Sequence, residues 1–525
     1  MRNNFQQIVC STPLAKIFTH SQVRNHLLET GNHGALMKPN RLTKPLLQLL
    51  AIVALASCGH VVDAQTRLPP DVDSYLCTIS QDEESPPNNL HALSRDCDFL
   101  ERAERMFLWV TSQSGRGQYV FRSPIFYDAW STDSNLRSLR QGDDESPDFI
   151  KLNFKNLDVK IDIEPVEPGE VDSKVLMTQD CRLVYYLIQV NDVYAYFLTG
   201  VENGAIPATK FPTGQPLQNG KTDIERTVEF ARAHNKELGD ASALAVELKS
   251  AWVETTESEG ANYITMKRTI PTYTPDYPMP CSSNSMSWAP NGQKERMLAL
   301  IGMHVVFSVN GHPEMIWATF EHVNNTPNKE YLYIRSDRHG KKQESDIADH
   351  HWMFSNSVPS AAFNEARMHV DKQTGYIVHD QNKTIGPSNI RRNAPWGSPG
   401  MDAGDLNTKI IFINEQFIRR LASNDVRKNY IMIGASWTPN GADPSASIGG
   451  WGGSNQLVNT TMETFHEMKG LREPGSSTCF ECHHGPTMLG DHCMKTGLSH
   501  LYGVLPPLFG SDMRGQCPSA NRVAR

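Results

Sequence analysis

The sequence lacks an apolar run long enough to cross a membrane as a helix. The longest run, residues 46–56, has about 11 residues, whereas a transmembrane helix needs about 20. Positive charge is not in excess either, since the formal net charge is −8 and the pI is about 6.2. Because nucleic-acid-binding domains carry a basic patch and a high pI, we expect no nucleic-acid partner.

Several enzyme signatures are missing as well. The sequence has no Gly-x-Gly-x-x-Gly in a strand-to-helix context, no Gly-x-Ser-x-Gly and no His-Glu-x-x-His. These motifs position a dinucleotide, a serine nucleophile and a zinc ion, respectively. Their absence argues against nicotinamide-dependent, α/β-hydrolase and zincin chemistry.

The apolar run at residues 46–56 has the features of an export signal. Basic residues precede it and small residues follow it, as in secretory signals. The sequence Leu-Ala-Ser-Cys that ends at Cys58 resembles the bacterial lipobox, so we expect lipidation of Cys58 and a lipid anchor. Cleavage after residues 62–64 is the rival outcome and would release a soluble protein. Both outcomes export the chain.

The signal sets the first domain boundaries. We expect it to cover residues 37–64 and to begin at Met37, with residues 1–36 as an upstream extension that has no structural role. Residues 65–95 are rich in Pro and Asp, and we expect a linker or a capping segment there. The globular part then begins at about residue 96.

The cysteines fit export, because disulfides form in oxidising compartments. The chain has ten cysteines, and six remain outside the upstream extension, the signal and a C-terminal Cys-x-x-Cys. Cys77 and Cys97 are the easiest local pair, and Cys493 is a candidate partner of Cys517. The other pairings stay open, since six cysteines allow 15 of them.

Residues 96–457 predict a β-rich domain with peripheral helices. Helical spacing covers residues 97–111 and 222–239, and alternation predicts a strand over residues 243–253. Residues 183–198 contain two apolar runs around Asn191-Asp192, which predicts a hairpin. Because strands outnumber helices, we expect an α+β fold that is built on a large, mainly antiparallel sheet.

Asn310-Gly311 is the favoured dipeptide of a two-residue hairpin turn, so Val309 should face His312. This register divides the flanking residues into two faces. One face is predicted to carry Ala299, Ile301, Met303, Val305, Ile316, Ala318, Phe320 and His322. The other is predicted to carry Leu298, Leu300, His304, Val306, Met315 and Trp317. Two apolar faces suit a central hairpin that is covered on both sides.

Residues 458–525 form the predicted C-terminal helical and loop segment. Thr460 and Glu463 have the spacing of a capping box, so a helix should begin there and end at Gly470. Met462 and Phe465 would line the buried side of this helix.

This C-terminal segment contains Cys-x-x-Cys-His at residues 479–483, which is the attachment signature of c-type haem. Cys479 and Cys482 would each add across one vinyl group of the porphyrin. His483 would then lie against the iron and supply the proximal imidazole. The pattern predicts one covalent haem c.

Other uses of these residues remain open. A structural zinc site could draw on Cys479, Cys482, His492 and Cys493, although 482 to 492 is shorter than the usual spacing between ligand pairs. A thioredoxin-like Cys-x-x-Cys opens a helix after a strand, whereas Pro474 and Gly475 precede this one. Plain disulfides are the third alternative.

The second axial ligand of the iron must come from elsewhere. His500 is the leading candidate, because the chain from His483 is long enough to pass around the ring edge. His322 and His466 are weaker candidates, since each would equally suit a hydrogen-bonded core histidine. An open or water-bound iron is the remaining alternative.

The chain resembles exported, single-haem proteins of the cytochrome c family of Gram-negative bacteria. The matching stretches span about residues 300–500, with a weaker likeness at residues 243–253; they are LIGMHVVF, MIWATFEHVNNTP, NQLVNTTMETF, CFECHH and LSHLYG. The resemblance implies a periplasmic or outer-membrane protein in which a large β-rich domain precedes a C-terminal haem segment. It implies no particular substrate.

These features predict periplasmic electron transfer through the haem, with a redox protein as the partner. A haem-dependent oxidoreductase that acts on peroxide or oxygen is the first alternative, with Trp317, Glu321, His322 and His304 as candidate pocket residues. A non-redox binding lipoprotein with a structural or sensor haem, or with zinc, is the second.

Overall fold

The hairpin around Asn310-Gly311 lies at the centre of the protein in the computed structural model. The structure describes residues 77, 79–80, 85–114, 117–132, 136–141, 174–208, 210–217, 220–274, 287–335, 341–344, 350–356, 362–371, 373–380, 383–397, 404–442, 451–465, 479–483, 487–489, 492–494 and 499. Residues 130–132, 136–141, 341–344, 404, 481–482, 487–489 and 492–494 are described for their backbone only.

Fifteen strands are present in the described residues, and eleven of them form one sheet. The strands are β1 Phe126–Thr132, β2 Leu136–Gln141, β3 Val184–Asn191, β4 Val246–Glu254, β5 Thr265–Thr274, β6 Ser287–Val309, β7 His312–His322, β8 Tyr331–Ile334, β9 Lys341–Glu344, β10 Met368–Val370, β11 Ile377–His379, β12 Tyr430–Trp437, β13 Gly452–Gly453, β14 Thr487–Leu489 and β15 His492–Met494.

All strand pairs of this sheet are antiparallel. The main order is β13-β12-β7-β6-β4-β3-β1-β2, while β5 and β11 pair with the long strand β6 and β10 pairs with β11. Two further two-stranded sheets join β8 to β9 and β14 to β15.

The helices of the described part lie around this sheet. They are α1 Asp96–Val110, α2 Asp192–Glu202, α3 Asp223–Ala233, α4 Gly404–Arg420 and the single turn α5 Cys479–Cys482. The α+β fold class with a large antiparallel sheet and peripheral helices is therefore confirmed. None of these helices is both long and apolar enough to span a bilayer.

The helix predicted over residues 222–239 forms as α3, but it is shorter than predicted. Thr222 and Glu225 make a capping box at its start, as their spacing allows. The helix ends at Ala233, because the chain turns at His234 and Asn235 takes a positive φ of 61°.

The hairpin predicted around Asn191-Asp192 is wrong. The chain leaves β3 at Asn191 and enters helix α2 directly. The Asn191 side chain accepts a hydrogen bond from the backbone N–H of Tyr194 (3.1 Å), so it caps the helix instead of forming a turn. Every residue of α2 is buried, which explains why its apolar sequence resembled a strand.

The central hairpin forms, but a bulge shifts its register. Val309 faces His312 as predicted, whereas His304 faces Thr319 instead of Trp317. A second bulge, opposite Ala251 and Trp252, changes the side on which the earlier residues of β6 lie. Consequently Leu298 and Leu300 join the cluster of Met303, Val305 and Phe320, and Ala299 and Ile301 lie in a different one.

The sheet is covered on both faces. On one face, α1 and α4 pack over the largest apolar cluster, in which the Phe107 and Phe320 rings stack at 4.3 Å. The opposite face carries α2, and a second apolar cluster there includes Val306, Trp317 and Cys479. We call this second side the motif face.

The segment before residue 96 is tied to the rest of the chain. Cys77 forms the expected disulfide with Cys97, and Cys77 and Ile79 are buried in the largest cluster. Cys181 is also in a disulfide. The expected Cys493–Cys517 pair lies outside the residues whose side chains the structure describes.

Candidate functional site

The Cys-x-x-Cys-His sequence forms one turn of helix. The backbone N–H of His483 donates to the carbonyl oxygen of Cys479 at 2.9 Å, which is the hydrogen bond of an α-helical turn. Residues four apart in a helix lie on one side. The Cys479 thiol and the His483 imidazole therefore project from the same side of α5.

Cys479 is buried in the apolar cluster of the motif face. Its Sγ is 4.0 Å from the carbonyl oxygen of Leu457. Phe480, the next residue, is fully buried in the same cluster. This burial fixes the start of the motif against the sheet.

The half-buried ring of His483 packs on β7. Its centroid lies 4.1 Å from that of Trp317, and the two planes are tilted by 39°. The Trp317 indole N–H donates to the carbonyl oxygen of Glu314 at 3.3 Å, which orients the ring. Phe480 meets Trp317 edge-on at 6.5 Å and lies 6.2 Å from Trp451. The motif histidine thus packs on Trp317, which belongs to a row of aromatic rings with Phe480 and Trp451.

Ser499 fixes a second point of the C-terminal segment on the motif face. Its hydroxyl accepts a hydrogen bond from Tyr194 of α2 at 2.8 Å and donates to Glu247 of β4 at 2.6 Å. Tyr194 belongs to the apolar cluster that contains Cys479. Ser499 directly precedes the predicted ligand His500, which lies outside the described residues.

A polar chain crosses the motif face beside Trp317. The Nε2 atom of His304 is 2.8 Å from Oε1 of Glu463, and its Nδ1 is 2.7 Å from the hydroxyl of Thr319. Burial acts to raise the pKa of Glu463, but His304 and Lys249 together hold this pKa below its ordinary value. Glu463 is therefore a carboxylate at neutral pH.

The turn at residues 459–464 delivers Glu463 to this chain. The predicted capping box is not the contact that forms: Asn459 accepts a hydrogen bond from the backbone N–H of Thr461, and Glu463 accepts one from the N–H of Asn459. Gly302 of β6 permits the close approach, because a Cβ there would lie 2.4 Å from the Thr461 hydroxyl. Met462 is buried as predicted.

A buried ion pair anchors the same turn. The Glu321 carboxylate accepts hydrogen bonds from Arg392 (2.7 Å) and from the backbone N–H of Thr460 (2.8 Å). The side chains of Glu321 and Arg392 are 0% and 5% exposed. Glu321 thus connects β7 to the segment that leads to the motif.

His322 lies on the other side of β7 from His304, as predicted. Its Nε2–H donates to the carbonyl oxygen of Asn262, and its Nδ1 accepts from the N–H of Asn324, both at 3.2 Å. Its ring stacks on Tyr263 at 4.0 Å. Burial lowers the pKa of His322 to about 4, so the ring is neutral at physiological pH.

A cavity of about 870 Å³ opens near this end of β7. Its lining includes Arg182, Tyr263, Asn324, His350, His351 and Trp352. The four predicted pocket residues do not line it. Trp317 instead contacts His483, His304 bonds Glu463, Glu321 bonds Arg392, and His322 lies behind Tyr263.

Several predicted site residues fall outside this description. Cys58 and His466 lie outside the described residues, and only the backbone of Cys482, His492 and Cys493 is described. Within the described part, no group of three or more His, Cys, Asp or Glu side chains is arranged to hold a metal ion.

Sequence reasoning missed the roles of Glu463, Ser499 and Arg392 at this face. Their partners lie far away in the chain, and no local pattern connects them.

No family model, curated protein or solved structure matches the chain. The functional argument therefore depends on the residues themselves.

Proposed function

We propose that the protein is an exported c-type cytochrome that carries one covalent haem and transfers electrons between periplasmic partners. Cys479 and Cys482 would hold the haem, and His483 would be the proximal ligand. The contact between the His483 and Trp317 rings at 4.1 Å carries this proposal, because it packs the attachment motif on a buried strand inside the sheet.

The donor set and its surroundings fit a haem. The Cys479 thiol and the His483 imidazole project from one side of α5, so these two residues could hold the group together. Phe480, Trp317 and Trp451 supply apolar and aromatic surface, which suits an apolar macrocycle and limits the access of water. A bound haem iron would supply one-electron chemistry, and its potential would follow from this burial and from its ligands.

Other residues of the chain would then hold the iron-binding histidines in position. Trp317 would restrict rotation of the His483 ring, and its own indole is held by Glu314. Ser499 is fixed between Tyr194 and Glu247 on the same face, which supports His500 as the second axial ligand. We do not propose His322, because both of its ring nitrogens already form hydrogen bonds.

A haem-dependent oxidoreductase is the second candidate, because the cavity of about 870 Å³ could admit a substrate. Trp317 and His322 are five residues apart on β7, which corresponds to about 17 Å at about 3.4 Å per residue. A substrate in the cavity beside Tyr263 would therefore not touch an iron held by His483. Electron transfer through the haem fits this separation better than peroxide or oxygen chemistry at the iron.

The full chain, produced with a haem-attachment system, tests the proposal. A pyridine haemochrome spectrum should show one haem c per chain, and Cys479→Ala with Cys482→Ala should abolish it. The matched control is His484→Ala, which leaves all three motif positions intact and should keep the haem. Unchanged haem content in the double cysteine variant would refute covalent attachment at this motif.

The visible spectrum separates the two candidate functions. A low-spin reduced spectrum that does not respond to carbon monoxide supports electron transfer through a six-coordinate iron. A high-spin spectrum that responds to carbon monoxide, with turnover of peroxide, would favour the oxidoreductase. Replacing His500 with Ala should change the low-spin spectrum into a high-spin spectrum that responds to carbon monoxide, without turnover of peroxide.

A further inference from the structure

The hydrogen-bonded chain Thr319–His304–Glu463 lies on the motif face, beside Trp317. Trp317 and Thr319 are alternate residues of β7, so their side chains share a face and lie about 7 Å apart. Trp317 contacts His483, and Thr319 contacts His304. His304 therefore contacts a residue that lies one strand repeat along β7 from Trp317, whose ring packs on His483.

We infer that His304 takes up a proton when the haem is reduced, so that the protein couples electron transfer to proton transfer. This inference rests on the proposed function. The electron comes from the redox partner and the proton from water. One negative and one positive charge are then added together, and the net charge of the region is unchanged.

The hydrogen bonds of His304 suit both protonation states. A neutral imidazole has one donor and one acceptor nitrogen, whereas the protonated ring has two donors. At Nε2 the partner is a carboxylate, which accepts in both states. At Nδ1 the partner is the Thr319 hydroxyl, which can donate or accept. The ring can therefore gain a proton without losing either hydrogen bond.

The charges that face His304 come from several elements. Lys249 of β4 lies opposite it in the strand register, and its ammonium lies 5.6 Å from the centre of the Tyr186 ring of β3. Glu463 faces it from the C-terminal segment. Further along β7, the Glu321–Arg392 pair is internally balanced. Glu247 of β4 lies two residues from Lys249 on the same face and accepts from Ser499. Protonation of His304 would add one positive charge to the group formed by Lys249, Glu247 and Glu463.

The partial burial of His304 would let its charge interact with the charge of the haem iron and would still give water access to the ring. The side chains of His304 and Glu463 are 13% and 22% exposed, so water reaches the pair but screens it less than at an open surface. A positive charge on His304 is disfavoured by an oxidised iron and less so by a reduced one. Reduction should therefore favour protonation.

The midpoint potential of the haem-loaded protein, measured by spectroelectrochemistry from pH 5 to about 9, tests the inference. Within a window of pH, the potential should fall by up to about 59 mV per pH unit, which is the value for one proton per electron. His304→Gln should flatten this slope. His369→Gln is the matched control, because His369 bonds a carboxylate, Asp380, but belongs to β10; it should keep the slope.

Thr319→Val provides a second test if His304→Gln does not fold. It removes the hydroxyl that can donate to or accept from His304, with little change in the shape of the side chain. The range of pH over which the midpoint potential changes should then shift or become narrower. A potential that does not depend on pH in the wild type, or a slope that persists in both variants, would overturn the inference alone. Absence of haem from the wild type would overturn the proposed function instead.

Discussion

Replacing Glu321 with Gln tests how the segment that leads to the motif is held on the sheet. The Glu321 carboxylate is fully buried and accepts from Arg392 and from the Thr460 backbone, at 2.7 and 2.8 Å. The neutral amide would leave the guanidinium of Arg392 buried without its countercharge. It would also weaken the contact to Thr460.

The expected cost follows from these contacts. Removing one partner of a buried ion pair costs about 3–5 kcal/mol, because the remaining charge stays desolvated. Hydrogen bonds to charged groups contribute about 1.5–3 kcal/mol each, which gives a similar total for the two bonds. We therefore expect Glu321→Gln to lower the free energy of unfolding by about 3–5 kcal/mol.

Urea unfolding followed by circular dichroism measures this change. The control is Glu365→Gln, which removes an exposed pair whose side chains are 42% (Glu365) and 39% (Lys383) exposed, and it should cost less than about 1 kcal/mol. Glu321→Leu combined with Arg392→Met should recover much of the loss, since it leaves no buried charge. Equal costs for Glu321→Gln and Glu365→Gln would refute the reasoning.

Two further substitutions test a close contact on the motif face and a buried carboxyl on helix α1. Gly302→Ala should destabilise the protein by about 1–3 kcal/mol in the same urea assay, because its Cβ would overlap Thr461, whereas Gly239→Ala meets open space and should change little. Burial raises the pKa of Glu104 to about 8 from an ordinary 4.5. The carboxyl therefore ionises more readily in the unfolded chain, and stability should fall by up to about 1.4 kcal/mol per pH unit between these values. Glu104→Gln should remove that dependence in thermal melts, and an identical pH profile would contradict it.

The sequence predicts the central hairpin well because its signals are local. Asn310-Gly311 specifies the turn, and apolar residues on both faces indicate a covered strand pair. The two-residue shift beyond the turn and the bulge beside Gly302 depend on neighbouring strands. Periodicity alone therefore assigned Ala299 and Leu298 to the wrong sides.

Asn191 shows a different limit of local pattern. Asn favours both turns and helix N-caps, so the same residue predicts a hairpin or a helix. The choice depends on its buried surroundings, where its side-chain amide donates to Asp240 and to the carbonyl oxygen of Leu244. Those partners lie about 50 positions away and leave no trace in residues 183–198.

For the candidate site too, the local features could be predicted from the sequence and the long-range contacts could not. The spacing of Cys479, Cys482 and His483 is a local pattern and is visible in the sequence. The contacts of the motif face are not, because His304 and Glu463 are 159 positions apart and Glu247 and Ser499 are 252 apart. Such pairs form only when the sheet brings β4, β6 and β7 beneath the C-terminal segment.

Mass spectrometry of the peptide that contains residues 479–483 is the most direct test of the central claim. Protein matured with a haem-attachment system is digested, and the peptide mass is compared with that of the same peptide from the Cys479→Ala, Cys482→Ala variant. We predict that the wild-type peptide carries the mass of one haem, bound through both cysteines. A wild-type peptide with two unmodified thiols, or with a disulfide between them, would contradict the account.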